Sequence, residues 1–246
     1  MSNTQELELW CVDLGASGGA LRAIEQRTPR ICTDGHARAA KIPDQHRREQ
    51  WLAAHVALRL LIERIAGERW RRVTFARGER GKPYLPDAPI AFSLSHAGGL
   101  ALIGIAREGA IGVDVEQARR VRIDAARRAR IVEAGNALGG TGAPAGGETE
   151  FLQAWVRLEA LAKADGCGIG RLLTALGILG AGKQAAATQS MSERVAAFVA
   201  GAPARQVRDV PIGPGIYGAA AYGGLREPPV LRWLPVEQEA LEKLAL

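Results

Sequence analysis

The chain has 246 residues, of which 47% are hydrophobic and 24% charged, an ordinary balance for a soluble globular protein with room for one large core or two smaller ones. No apolar run approaches the roughly 18 residues a bilayer span needs, and the opening "MSNTQELELW" has neither the charged start nor the apolar stretch of a signal peptide. Cys11, Cys32 and Cys167 lie far apart with no paired spacing for zinc, and their odd count argues against a disulfide framework, so a reducing, cytoplasmic setting is expected. The net charge of +6 and pI near 9.6 favour an anionic partner: nucleic acid, a phosphate-bearing cofactor or an acidic protein.

In chain order, "LELWCVDL" reads as a strand. Residues 44–66 are the clearest helix, with Trp51, Leu52, Val56, Leu58 and Ile62 near helical spacing and Gly67 placed to end it. "RVTFARGERGKPYLPDAPIAFSLSH" gives a short strand, a Gly/Pro turn and a further strand. Residues 100–106, "LALIGIA", have the length of a buried strand, and "REGA" is expected to fold it back on "IGVDVE" as a hairpin. "RRVRIDAARRARIVEAG" is expected to be a basic helix, residues 135–148 a mobile Gly-rich loop, and "TEFLQAWVRLEALAKADG" an amphipathic helix. "RVAAFVA", "RQVRDVPI" and "GIYGAAAYGG" read as strands of a second sheet. Helices and strands mix without strict alternation, so the fold class is α+β.

Within "IGVDVE", alternation puts Ile111, Val113 and Val115 on one face and Gly112, Asp114 and Glu116 on the other. Two neighbouring carboxylates repel unless a proton or cation lies between them, and a hard divalent cation suits all-oxygen ligands. A solvated strand face would carry the same pattern. Glu159 and Lys163 are four apart, on one helix face; they are either an ordinary surface pair or a third carboxylate and an ammonium for the same pocket. Ser95 and His96 precede the apolar strand, but neighbours on an extended chain point apart, so they are not a nucleophile–base dyad. Lys82, in the rigid turn "RGKPY", is free to meet a phosphate. Cys167 sits in a Gly-rich turn without the Lys-Ser/Thr of a Walker loop and reads as structural, and His36, His46 and His55 share no metal spacing.

In order, Gly81-Lys82-Pro83, Ser95-His96, Gly112-Val113-Asp114-Val115-Glu116 and Trp155 through Glu159 to Lys163 resemble the motifs of the 4′-phosphopantetheinyl transferases, specifically the long single-chain type that activates surfactin synthetase. The resemblance implies a pseudo-twofold pair of similar α+β halves, residues 1–118 and 119–246, with an active-site cleft between them. It implies transfer of the phosphopantetheine arm of coenzyme A to a serine of an acidic apo acyl or peptidyl carrier protein, with release of 3′,5′-ADP. Asp114, Glu116 and Glu159 would be Mg²⁺ ligands, Glu159 or a water it holds the base, and Lys163 and His96 contacts to coenzyme A phosphates. Lys82 and Ser95 would line the cofactor site, and a monomer is expected because one chain supplies both halves.

Three positions depart from the family pattern. Ser93 stands where Asn is frequent, Leu158 replaces a usual Lys, and Gln50 precedes Trp51 where many members have Arg. Arg47 and Arg48 lie a turn or less upstream of Trp51 and are within reach of the coenzyme A 3′-phosphate, as are Arg30 and Lys41; the contact stays open among them, and Arg48 is counted with the cofactor-binding residues. Two other readings remain: a basic nucleic-acid-binding domain, supported by Arg119, Arg120, Arg122, Arg127, Arg128 and Arg130 but by no stacking or recognition motif, and a coenzyme A-binding relative without activity.

Overall fold

The computed structural model describes residues 7–139, 147–180, 189–204, 206–223 and 229–244. They form α+β structure divided between two compact units. The first comprises residues 1–77, 83–108 and 229–246; the second comprises residues 78–82 and 109–228.

In the first unit, β1 (Leu7–Asp13), β4 (Ala91–Ala97), β5 (Leu100–Ala106) and β9 (Leu231–Trp233) form a sheet in the order β4-β5-β1-β9, antiparallel except for the parallel β1–β9 pair. The edge strand β9 and the helix α8 (Gln238–Leu244) therefore come from the far end of the chain. Helices α1 (Gly18–Arg27) and α2 (Thr33–Ala40) lead to α3 (Gln45–Ala66), whose ends match the sequence reading. Asp44 caps α3 by accepting from the Arg47 amide at 2.7 Å, and Gly67 ends it at φ 101°, a left-handed conformation that suits glycine. Leu58, Leu60, Leu61 and Ile62 of α3 join Val12, Ile103 and Ile105 of the sheet in one core. The short strands β2 (Ala76–Arg77) and β3 (Pro83–Tyr84) pair as a hairpin.

In the second unit, β6 (Ile111–Gln117), β7 (Gln206–Asp209) and β8 (Ile216–Tyr222) form an antiparallel sheet in the order β6-β8-β7. The helices are α4 (Ala125–Ala137), α5 (Gly147–Asp165), α6 (Ile169–Ala175) and α7 (Met191–Gly201). Its core gathers Phe151, Leu152, Val156 and Leu161 of α5 with Ile131 of α4, Val195 of α7 and Ala219 and Ala221 of β8.

Four expectations change. First, β5 and β6 are not a hairpin: β5 has β4 on one edge and β1 on the other, which uses both rows of its backbone groups, and β6 pairs with β8. His96 thus lies near the turn of the β4–β5 hairpin, which does not carry the acids. Second, "RVAAFVA" lies in the helix α7; a capping box starts it, with Ser190 accepting from the Glu193 amide at 3.2 Å and the Glu193 carboxylate accepting from the Ser190 amide at 2.7 Å. Third, the basic helix begins only at Ala125, because the Asp124 carboxylate caps it through the Arg127 amide at 2.9 Å. Arg119, Arg120 and Arg122 precede it on non-helical chain. Fourth, the expected loop at 135–148 is narrower, since α4 runs to Ala137 and α5 starts at Gly147; residues 140–146 lie outside the described residues. Among the described residues, no helix is long and apolar enough to cross a membrane.

Candidate functional site

The acids of β6 meet the long helix of the second unit. Gly112 decides how closely: a Cβ there would overlap the Ala160 carbonyl oxygen and the Ala164 amide nitrogen, so only glycine lets the α5 backbone rest on the strand. The room that the missing Gly112 side chain leaves beside the acids is therefore filled by α5 itself. The close approach carries Glu159 and Lys163 of α5 to Asp114 of β6, and Lys163 Nζ donates to Asp114 Oδ1 at 2.6 Å. Glu159 and Lys163 are thus not a solvated surface pair. Asp114 is only 5% exposed, so its charge depends on a partner.

Glu116, two residues along β6, is half-buried and accepts from Arg119 Nε at 3.2 Å and Nη2 at 3.0 Å. The sequence placed Arg119 in the general basic run and missed this pairing, although the three-residue separation from Glu116 was a local signal. Burial raises the Glu159 carboxyl above its ordinary range; the Asp114 and Glu116 charges push the same way and Lys163 opposes them. Three carboxylates thus interact, opposed by the Lys163 ammonium and the Arg119 guanidinium.

A hard cation suits this donor set chemically, all three donors being carboxylate oxygens. With the side chains as they stand, no three His, Cys, Asp or Glu residues among the described ones are grouped closely enough to hold a metal ion. The Asp114 and Glu116 oxygens turn to Lys163 and Arg119 instead, so cation binding requires side-chain rotation. The Lys163 ammonium stands on Asp114 as an internal cation.

Lys82 enters the second unit through the turn at residues 78–82, where Gly81 adopts φ 86° and donates its amide to the Gly78 carbonyl at 2.8 Å. Its ammonium donates to the Ala164 carbonyl at 2.8 Å and the Ile111 carbonyl at 3.2 Å, tying the turn to the end of α5 and the start of β6. Burial lowers its pKa to about 8, against the attraction of Asp165. Leu158 is fully buried in the core of this unit, so the departure from Lys at that position contributes packing.

The other expected residues belong to the first unit. On β4, Ser95 stands opposite Leu102 and is half-buried, while His96 stands opposite Ala101 and is exposed, as strand alternation requires. Ser93 is buried. Arg48 is half-buried and donates to the Ile42 carbonyl at 3.1 Å; with Gln50 and His46, which bond to each other at 3.0 Å, it lines a cavity of about 480 Å³ beside α1. Arg30 is a poor candidate for a phosphate: it is 4% exposed, with Nε on Glu63 at 2.8 Å and Nη1 on the Thr28 carbonyl at 2.8 Å. His55 stacks on Trp51 with ring centroids 3.6 Å apart, and its Nδ1–H donates to the Trp51 carbonyl at 2.9 Å. Burial pushes the Cys11 thiol up to about 11 and the Cys167 thiol up to about 12, which leaves both inert near neutrality.

The basic run divides in two. Arg119 holds Glu116; Arg128 holds Glu148 at 3.1 Å and the Val121 carbonyl at 2.7 Å; Arg130 donates to the Gly177 carbonyl at 3.0 Å. Arg120, Arg122 and Arg127 are exposed.

No known family profile matches the chain. Over 88 residues it is 31% identical to a curated protein of Synechocystis sp. strain PCC 6803, whose name gives it provisionally as a 4′-phosphopantetheinyl transferase. The aligned stretch is 35% of this chain and 36% of that relative, so the match spans about a third of the relative's length. The chain is thus similar, distantly and in part, to a protein named for that transfer.

Proposed function

We propose that the protein is a 4′-phosphopantetheinyl transferase that moves the phosphopantetheine arm of coenzyme A to a serine hydroxyl of an apo carrier protein. The observation that carries the reading is the meeting of Asp114, Glu116, Glu159 and Lys163 over Gly112, acids and ammonium drawn from two separated motifs onto one strand–helix contact. The partial similarity to the Synechocystis protein supports the same class.

In this reading Asp114, Glu116 and Glu159 would hold a divalent cation such as Mg²⁺, which would supply charge neutralisation at the coenzyme A diphosphate. Glu159, or a water it holds, would take the proton of the incoming serine. The serine oxygen forms a bond to the phosphorus that carries the pantetheine arm. The bond from that phosphorus to the bridging oxygen breaks, and 3′,5′-ADP leaves with the electron pair. Lys163 opposes the charge on the departing diphosphate oxygen, since such transfers ask the protein mainly for positioning and charge compensation. His96, Ser95, Arg48 and Lys82 would contact coenzyme A, although Lys82 would have to leave the Ala164 and Ile111 carbonyls to meet a phosphate.

Arg120, Arg122 and Arg127, exposed while their neighbours serve the fold, would present positive potential to an acidic carrier. The reading is tested by incubating the chain with coenzyme A, Mg²⁺ and a panel of apo carriers while following 3′,5′-ADP by chromatography. Release that requires the carrier is expected. Binding of coenzyme A without release in the presence of any carrier would leave the inactive relative, and salt-sensitive DNA binding without coenzyme A binding would favour the nucleic-acid reading.

A further inference from the structure

Arg157 leaves α5 two residues before Glu159, about 200° round the helix, and so reaches away from the acids of β6. It is 1% exposed. Its guanidinium grips Asp209 of β7 with two parallel bonds, Nε to Oδ1 and Nη2 to Oδ2, each 2.7 Å, a bidentate geometry that fixes direction as well as distance. Nη1 donates to the Asn136 side-chain oxygen at 3.1 Å and to the Gly135 carbonyl at 3.4 Å, both in α4. One turn earlier on α5, Gln153 donates to the same Asp209 Oδ1 at 2.8 Å and to the Gly218 carbonyl of β8 at 3.3 Å. Two successive turns of the helix are thus tied to one carboxylate.

The sheet register relates that carboxylate to the acids. Asp209 of β7 stands opposite Ala219 of β8, and Ala219 stands opposite Asp114 of β6. Residues opposite one another in antiparallel strands share a face, so Asp209, Ala219 and Asp114 form one row beneath α5. Two strand spacings put the aspartates about 10 Å apart, close to the width of a helix. Ala219, fully buried in one core with Phe151, Leu152 and Val156, is the floor between them. The helix lies across this row, with Arg157 reaching down to Asp209 on one side and Glu159 and Lys163 beside Asp114 on the other.

We infer that Asp209 is a positioning residue for the acid-rich site: gripped by Arg157, it fixes the roll of α5 about its axis and with it the placing of Glu159 and Lys163 against Asp114. Its consequence for turnover rests on the transferase reading, in which Glu159 and Lys163 act on the transferred group; the placing of the helix does not. A single hydrogen bond would leave the helix free to roll, whereas a planar fork on Asp209, tied again at Asn136, does not. Gly112 sets how near α5 comes to β6, and Asp209 sets which side chains it turns toward the strand. The Asp209 side chain keeps 34% of its surface exposed while that of Arg157 keeps 2%, so loss of the acid leaves a buried guanidinium uncompensated and drives the helix to move until that charge is solvated.

The test compares wild type, Asp209→Asn and the apolar pair Arg157→Met with Asp209→Leu, as full chains, by melting temperature, backbone amide NMR spectra and carrier modification. Asp209→Asn melts several degrees below wild type. Its amide signals at residues 112–116, on the strand two places from the substitution, move together with those at 159–163. The apolar pair removes the buried charge along with its partner and recovers most of the melting temperature, yet the same signals stay displaced. Where wild type modifies a carrier, the apolar pair loses on the order of tenfold to a hundredfold in kcat despite its recovered stability. Spectral changes confined to residues 135–136, 153–157 and 206–210, with β6 signals at their wild-type positions, overturn the inference. A folded apolar pair that modifies carriers as fast as wild type overturns it as well. Should Asp209→Asn not fold, the apolar pair alone carries these outcomes. A wild type that modifies no carrier removes the transferase reading and leaves the spectra to decide the placing of α5.

Discussion

Each unit of the molecule places charge between a long helix and its surroundings, and the two do so with different balance. In the first, Glu63 of α3 accepts from Arg30 at 2.8 Å and is also paired with Arg71, which holds Glu68 as well, so two carboxylates meet two guanidiniums. In the second, Asp114, Glu116 and Glu159 share Lys163 and the exposed Arg119. The first arrangement is complete and needs no further cation. Among the five groups named in the second, acids outnumber cations by one, where β6 and α5 approach most closely. A buried ion pair in itself says little about function; the sign of what is left over says more.

Breaking the complete network should cost most. Glu63→Ala leaves Arg30 buried beside a lost partner and is expected to destabilise by about 3–5 kcal/mol in denaturant unfolding, with no dependence on Mg²⁺. A cost below about 1 kcal/mol would mean that this network is not what holds the region. Gly112→Ala comes next. Its methyl must push α5 from the strand, an overpacking cost of about 2–3 kcal/mol, and the separation of Glu159 and Lys163 from Asp114 should weaken any Mg²⁺-induced rise in melting temperature. Near-wild-type stability together with an unchanged Mg²⁺ response would show that the close approach is dispensable.

The first unit also carries an acid-sensitive element. Burial lowers the His55 pKa from 6.5 to about 4, opposed by its bond to Trp51 and reinforced by the His96, Arg59 and Arg38 charges. As pH falls below 6.5 the unfolded chain takes up a proton that the folded chain refuses, so stability is full above that pH and is lost toward pH 4. The loss is expected to be on the order of 2 kcal/mol, allowing for a ring that is half-buried, and His55→Phe should flatten this part of the profile. An unchanged profile in that variant would place the acid sensitivity elsewhere. The smallest effect is expected at the rim of the acid-rich site: Arg119→Ala removes an exposed pair and should change stability by less than about 1 kcal/mol. A larger loss would make Arg119 a structural partner of Glu116 equal to Lys163 for Asp114.

Much of this was legible in the chain. The ends of α3 follow from Asp44 and Gly67, and the period-two pattern of "IGVDVE" placed its acids together on one face. The i,i+4 spacing put Glu159 and Lys163 on one side of α5, but spacing alone could not say that this side faces β6. That information resides in Gly112, whose missing side chain looks like empty space in sequence and proves to be the seat of a helix. The partner of β6 was misread because local turn signals cannot report that β5 already has a neighbour on each edge. The Ser190–Glu193 capping box was present in the sequence, yet the apolar "RVAAFVA" after it fits a strand or a helix equally when read by composition. Strand β9 was invisible because three residues paired across more than 200 positions of chain leave no local pattern.

The most direct measurement is the intact mass of an apo carrier protein after incubation with coenzyme A, Mg²⁺ and this chain, run beside Asp114→Asn. The account predicts a gain of one phosphopantetheine arm on at least one carrier of a broad panel with wild type and none with the variant. A folded wild-type chain that binds coenzyme A and leaves every carrier's mass unchanged, or an Asp114→Asn chain that modifies carriers as fast as wild type, would contradict it.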